Sequence, residues 1–588
     1  MLDDNFYKKE REGYLNKIIS SDSRKKLIVA GPGTGKTYTF KKLLEKSFQS
    51  SCQKGLVLTF IKNLVKDLEK ELGNLADVRT FHSFCRSEVK NIIGKDFEYY
   101  PSLLTIIKED LQIIDPNFKL GKKGSLDNYF YDLDRNIINR ALEISKYYKA
   151  TGHTDSVYRV YQFYQNYPQN IPIYPIILVD EYQDFNLLET SLVEELAKKS
   201  PILIVGDDDQ ALYYFRDSSP KYLRKLAQDN EFERFELPFC SRCPEVIVKA
   251  VNRIIEITKE LGCLKGRIDK KFQYFPPDKR EDSERNPEII NVHCSVENTR
   301  CHYAGKYILN EIISMPEEYR KDAVTRGEPA ALIIGPAQFL KQVISHFRCV
   351  SKNILQMGWS FEEKKEPEGG VELIDGYKIL MRNPDSNLGW RIILGNKYKR
   401  NYSYIIREAI SKRKNIKDEI DKGIRSETKD IINMLNKIGK GNDINEDDEN
   451  FISQMLGLSV EQIKNKLKVD SEENIDIDTK KPRIFCTTFE GSKGLAAQYV
   501  FILGFNEGHF PKYYPPKDID ICRLIVALTR ARKRAYILSY GNFAGGKLKR
   551  SMFKDYIRDF LSKEIYVDKK YISNISNNRK IENDKTCN

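Results

Sequence analysis

Residues 30 to 37 read Ala30-Gly31-Pro32-Gly33-Thr34-Gly35-Lys36-Thr37, directly after the apolar run Leu27-Ile28-Val29. Glycines at alternate positions let backbone N–H groups converge on phosphate oxygens, because a Cβ would block both the turn and the close approach. Lys36 is placed to reach the β- and γ-phosphates, and the Thr37 hydroxyl to sit on Mg²⁺. A second group ends another apolar run, where Ile176-Ile177-Leu178-Val179 leads into Asp180-Glu181-Tyr182-Gln183-Asp184. Here Asp180 is the expected Mg²⁺-side ligand, and Glu181 the group that orients or deprotonates an attacking water. A third group follows Ile202-Leu203-Ile204-Val205 as Gly206-Asp207-Asp208-Asp209-Gln210. The Gln210 amide both donates and accepts, which suits it to sensing a γ-phosphate or its water. Tyr213 and Phe215 lie just beyond, so a shift at Gln210 would move rings on which bases can stack, each stack contributing ~1–3 kcal/mol. Together these residues imply hydrolysis of a nucleoside triphosphate with Mg²⁺.

The elements that carry them are strand-length apolar runs, each followed by a helical pattern. Runs at 26–30, 56–60, 176–179 and 202–205 imply a parallel sheet with helices on both faces and ligands at the strands' carboxyl ends. Residues 86–171 read as helical and aromatic, an insertion into this first sheet. A second α/β pattern begins near Glu288 and includes 330–334 and a helix from Ala337. It breaks off at about Glu366 and resumes at 483–486, 499–503 and 535–539. The interruption at 366–480 reads as helices followed by an acidic loop from Asn445 to Glu449. The expected division is therefore 1–85 with 172–245, an insertion at 86–171, 246–365 with 481–562, and an insertion at 366–480. A poorly ordered Asn-, Lys- and Ser-rich tail is expected at 563–588.

The 588 residues exceed one hydrophobic core. A hydrophobic content of 40% with 31% charged residues excludes disordered and membrane classes, and the apolar runs are far short of a membrane span. The segment Met1-Leu2-Asp3-Asp4 has no apolar signal core, so a cytoplasmic location is expected. A net charge of +13 favours a polyanionic partner. The eleven cysteines lack a disulfide framework, and Cys240-Ser241-Arg242-Cys243 and the pair His293-Cys294 with Cys301-His302 read as buried thiols rather than a zinc site.

The order of these motifs resembles that of the UvrD/Rep/PcrA-type superfamily 1 helicases. Leu56-Val57-Leu58-Thr59-Phe60, Thr80-Phe81-His82-Ser83-Phe84, Asp180 to Asp184 and Gly206 to Arg216 are similar to the family's successive motifs, with Phe215 where Trp is usual. Ile379 to Asp385 resembles its helix-to-Asn-Pro-Asp element, and Thr488-Phe489-Glu490-Gly491-Ser492-Lys493-Gly494-Leu495 its motif V. Asn506-Glu507-Gly508-His509-Phe510-Pro511 and Ala527-Leu528-Thr529-Arg530-Ala531 resemble elements further on. The resemblance implies an α/β fold of two RecA-like parallel-sheet cores of the P-loop NTPase type, each carrying a largely helical insertion, with ATP between them. It makes Arg242 and Arg530 the pair that closes on the γ-phosphate, and Phe60, His82, Tyr213, Phe215 and Thr488 single-strand contacts. Lys493 becomes a contact to the moving strand or the cleft.

It further implies 3′→5′ movement on single-stranded or tailed duplex DNA, with a nuclease or repair factor as an expected protein partner and no membrane. Several positions depart from the family pattern. The N-terminal Gln that reads adenine has only Glu10 as a counterpart, and Cys240-Ser241 replace the Asn-Tyr before the motif IV Arg. Ala496 stands for a motif V Glu, and Ile525 is nearest to a missing Tyr. These changes touch base and sugar recognition and leave the phosphate machinery intact. Alternatives left open are a nucleic-acid-sensing regulatory ATPase acting with a partner enzyme, and the 5′→3′ branch of the same superfamily.

Overall fold

The computed structural model describes residues 3–60, 62–94, 96–121, 124–213, 219–297, 302–363, 370–398, 402–442, 444–468 and 481–579. Phe215 lies outside the described residues, as do Cys301 and the end of the expected tail from residue 580. Two all-parallel sheets form the cores. In the first, the spatial order is Ala76–Thr80, Gly55–Thr59, Ile177–Val179, Ile202–Gly206, Lys25–Ala30 and Glu233–Leu237. Its central strands are buried on both faces, which is why they read as unbroken apolar runs. The phosphate-loop residues, the acidic pair and the Gln210 segment each follow a central strand of this sheet, so the topology gathers them at one edge.

The second sheet runs Ser360–Glu363, Arg483–Thr487, Ala331–Ile334, Ala497–Ile502, Ala531–Tyr540, Ile290–Cys294 and Ile565–Val567. Its last strand corrects the expectation of a disordered tail. Val292, His293 and Cys294 pair with Ile565, Tyr566 and Val567, and the helix Lys569–Arg579 follows, with Ile572 buried in the same core. The polar composition of this segment hides a short edge strand, whose order comes from its ladder with a neighbour far away in sequence. The edge strand Ser360–Glu363 escaped the sequence for a similar reason: it is half-buried throughout and carries two glutamates.

The stretch from Asn445 to Glu449 is likewise no loop. Asn445 caps the helix Glu446–Leu456, accepting from the Asp448 N–H at 2.7 Å, and four acids occupy the first turn. Carboxylates there are stabilised by the exposed N–H groups and the helix dipole. In the first insertion the helices are joined by a two-residue ladder between Glu98–Tyr99 and Ala150–Thr151.

The helices of 370–468 interrupt the second core in sequence, but their apolar faces merge with those of the first insertion in one hydrophobic cluster. Leu104, Ile107, Ile138 and Tyr148 belong to it together with Ile379, Trp390, Leu394 and Ile431. A buried ion pair crosses this junction. Arg391 Nε donates to Asp110 Oδ1 at 2.6 Å and its Nη2 to Glu109 at 2.9 Å, while the Tyr148 hydroxyl donates to Asp110 Oδ2 at 2.7 Å. Removing one partner of a buried pair strands the other. Arg391→Ala is therefore expected to destabilise the junction by about 3–5 kcal/mol, and Arg391→Met with Asp110→Leu by much less. Urea titration of the three proteins, followed by circular dichroism, checks this.

Candidate active site between the two cores

The strand Lys25–Ala30 feeds a turn in which Gly33 and Gly35 have φ of +70° and +91°, and the helix Lys36–Ser51 begins at once. The loop is braced by its neighbours. The Thr34 hydroxyl donates to the Gly31 carbonyl at 2.9 Å, and the Ser241 N–H donates to the Gly33 carbonyl at 2.9 Å. A Cβ on Gly33 would stand 2.4 Å from Arg242 Cβ and 3.2 Å from Cys240 Sγ; one on Gly31 would meet the Phe272 ring at 2.7 Å. The glycines thus admit residues 240–242 and Phe272 as well as a phosphate.

This loop forms one wall of a cleft of about 610 Å³. Pro32 to Thr37, Asp180, Glu181 and Gln210 line it from the first core; Arg242, Gly494 and Arg530 face them. Every catalytic, loop and Mg²⁺-side residue expected from the sequence is therefore brought to this place, with Ala30 and Gly31 supplying the strand end and turn. Glu181 has φ of +56°, a left-handed conformation that turns the chain sharply after the strand. Its carboxylate lies 3.7 Å from Lys36 Nζ and 3.3 Å from Lys493 Nζ, and Gln183 Nε2 donates to it at 2.6 Å. The other end of Gln183 accepts from the Asp207 N–H at 2.9 Å, tying the acidic segment to the next strand.

Gln210 is held at both ends of its amide. Its Nε2 donates to Asp207 Oδ2 at 2.8 Å, and its Oε1 accepts from Arg530 Nη2 at 3.0 Å. Arg530 also donates to the Val526 and Leu495 carbonyls at 3.0 and 3.1 Å, so its guanidinium is fixed by the second core while it reaches the first.

The electrostatics separate the two acids. Burial pushes the Asp180 carboxyl up to about 6, against the pull of Lys36 and with the help of neighbouring Glu181. Burial acts on Glu181 in the same sense, but Lys36 and Lys493 together outweigh it and hold it below the usual carboxylate range. Burial and the adjacent Arg242 bring Arg530 down to about 9. Two cations meeting in one pocket are disfavoured there unless an anion joins them.

Lys493, expected to contact the moving strand or the cleft, faces the acids beside the cleft. Its side chain is 1% exposed, ion-paired to Asp184 and Glu181, and donates to the Gln210 carbonyl at 3.1 Å. Tyr213 lies beside it, with Lys493 Nζ 5.6 Å from the ring and the hydroxyl donating to the Glu490 carbonyl at 3.2 Å. Thr488 closes the same turn, accepting from the Gly491 N–H at 3.3 Å. Phe60 and His82 form a separate group on the first core, 5.7 Å apart edge to face, with Phe60 against Phe185 and His82 stacked on His153 at 3.7 Å.

Sequence reasoning missed Arg11, on the first helix, and Asp278. Arg11 Nη1 donates to Ser241 at 3.1 Å, lies 3.4 Å from Asp278 and covers the Phe275 ring at 4.7 Å. It therefore sits beside Ser241, where the family's aromatic is missing. No local signal marks it, because its partners lie some 230 and 267 residues away. Gln183, by contrast, was legible from its place in the acidic motif. Cys240, Cys243 and Cys294 are buried, in keeping with structural thiols.

Comparison with known proteins bears on the same geometry. Residues 16–216 match the model of an AAA domain, and residues 387–542 that of the UvrD-like helicase C-terminal domain. The second match holds the motif V loop with Lys493 and motif VI with Arg530. These matches and the curated relatives support a UvrD/Rep/PcrA-like superfamily 1 helicase. It is 23% identical to a probable DNA helicase II homolog of Mycoplasma capricolum over 90% of this chain and 84% of that protein. It is 22% identical to the ATP-dependent DNA helicase PcrA of Staphylococcus epidermidis over 87% and 80% of the two chains. The ATP-dependent DNA helicase Rep of Buchnera aphidicola shares 25% identity with it over 61% of each chain. Among the described residues of this UvrD-like chain, no helix is long and apolar enough to cross a membrane.

In such a braced loop, Gly33→Ala must push residues 240–242 away or distort a left-handed turn. We expect it to lower kcat/KM for triphosphate hydrolysis at least about tenfold, or about 1.4 kcal/mol, read by steady-state phosphate release.

Proposed function

We propose that this chain is an ATP-dependent DNA helicase or translocase that moves on single-stranded DNA in the 3′→5′ direction. The observation that carries the reading is the contact between Arg530 of the second core and Gln210 of the first, at the edge of the cleft that holds the phosphate loop and both acids. A triphosphate bound there faces Lys36 and the loop N–H groups from one side and Arg242 and Arg530 from the other, so its γ-phosphate bears on the closure of both cores.

The donor set fits Mg²⁺: one hydroxyl, Thr37, and one carboxylate, Asp180, both hard oxygen ligands beside the loop. Bound there, the ion would neutralise phosphate charge. Glu181 orients the attacking water and takes its proton, which its low pKa and its two lysine neighbours leave it ionised to do. Arg242 and Arg530 neutralise charge developing on the transferred phosphoryl group, an effect worth ~10³–10⁵ in rate for finger arginines. Gln210 reports the γ-phosphate to both cores. Tyr213 and Thr488 adjoin that report through the turn holding Lys493, and Phe60 and His82 offer half-buried rings further along the first core.

A second reading is a nucleic-acid-sensing ATPase that serves a partner enzyme such as a nuclease. Ser241 and Arg11 in place of the expected base-reading groups favour it, as does the junction between the two insertions. Glu181→Gln is expected to lower single-strand-stimulated kcat by about 10²–10⁴ with nucleotide binding retained. An unchanged kcat would remove Glu181 from the mechanism. Unwinding of 3′-tailed but not 5′-tailed duplex by the isolated chain supports the helicase reading. Stimulated hydrolysis without unwinding of either favours the regulatory one.

A further inference from the structure

Lys270 stands outside every motif that points to the triphosphate. Its side chain is 3% exposed, and its ammonium lies 2.8 Å from Asp207 Oδ1, 2.6 Å from Asp208 Oδ1 and 2.8 Å from Asp209 Oδ2. Three consecutive buried carboxylates have the spacing of a cation site. Here the chain supplies the cation itself. The same segment grips the acids at other points. Arg267 holds Asp209 with two contacts of 2.8 Å, and the Ile268 N–H donates to Asp208 Oδ2 at 2.9 Å. Arg224 completes the set, donating to Asp208 Oδ2 at 3.0 Å. Burial disfavours the Lys270 ammonium, but the three carboxylates outweigh it and push its pKa up.

The segment is also a seam. Ile268 is buried in the apolar cluster of the first core, while Leu264 and Phe272 are buried in that of the second. Phe272 is the ring that abuts Gly31 in the phosphate loop. Lys270 therefore lies between Ile268, seated in the first core, and Phe272, which abuts the phosphate loop.

The connection to chemistry runs through Asp207. One of its oxygens faces Lys270 and the other accepts from Gln210 Nε2 at 2.8 Å. A carboxylate can only accept, so it compels the amide to present its nitrogen. The amide oxygen is then left for Arg530, which can only donate, at 3.0 Å. Were Asp207 displaced or neutral, the Gln210 amide could turn over and present N–H groups to a guanidinium. We propose that Lys270 is a positioning residue for triphosphate hydrolysis: by holding Asp207 in place as an acceptor, it sets the orientation of the Gln210 amide and thereby its contact with Arg530. The proposal rests on the reading of Gln210 as the γ-phosphate sensor.

The test is single-strand-stimulated ATP hydrolysis by the full chain, with Lys270→Met, Gln210→Ala and the double variant compared. Lys270→Met is expected to lower kcat at least about tenfold while KM for ATP changes less than about threefold. Residues acting in one relay are not additive, so Lys270→Met should cost less than about twofold further in the Gln210→Ala background. Lys270→Arg, which keeps a charge at the acids, should recover part of the loss. If Lys270→Met does not fold by circular dichroism, Asp207→Asn keeps the shape and removes the compelled acceptor; the same kcat loss and the same non-additivity are expected of it. A kcat within about twofold of the parent for either variant, or losses that multiply with Gln210→Ala, would overturn the proposal. If Gln210→Ala itself leaves kcat unchanged, the sensor reading fails and this proposal with it. If Gln210→Ala is impaired and Lys270→Met is not, the relay alone fails.

Discussion

A carboxylate proposed to take a proton from water must be ionised, yet the burial of Glu181 makes that ionisation costly by several kcal/mol. Glu181 meets both demands because two lysines flank it, one from each core. Lys36 comes from the phosphate loop on its own sheet. Lys493 comes from a loop more than 300 residues further on, and it reaches Asp184 and the Gln210 carbonyl with the same ammonium. The charge of Glu181 is thereby linked to the apposition of the cores. Separating them would take away one of its two cations and expose a buried ion pair at Asp184.

Much of this was legible in the sequence because it is local. The phosphate loop, the acids and Gln210 each follow an apolar strand, and a parallel sheet must gather such strand ends. Arg242 and Arg530 were placed by resemblance alone, and both line the cleft beside the phosphate loop. What escaped was non-local. Lys270 meets its acids about 60 residues away, and Arg11 meets Ser241 across 230. Lys493 carried the residue type of a nucleic-acid contact, and only burial shows that it faces carboxylates. The strands Ser360–Glu363 and Ile565–Val567 lie at sheet edges, where one neighbour and partial exposure leave no apolar run to read.

The insertions show the same limit at a larger scale. Their helices could be counted from periodicity, but no pattern within either one says that its apolar stripe is completed by the other. The Arg391–Asp110 pair makes the point in two residues. Each alone reads as a surface charge on an amphipathic helix, and together they form a buried contact that specifies how the helices meet. The insertion that interrupts the second core in sequence is joined to the first core's insertion in space.

The bracing of Gly33 has a consequence for binding. A glycine-rich loop in water samples many shapes, and a ligand that must order it loses affinity to that entropy. Here the Ser241 N–H, Arg242 Cβ and the Phe272 ring confine the loop. The ordering is therefore met when the chain folds, and the loop N–H groups are preorganised before a nucleotide arrives. Under the proposed function, binding energy from the phosphates is left to hold the two cores together.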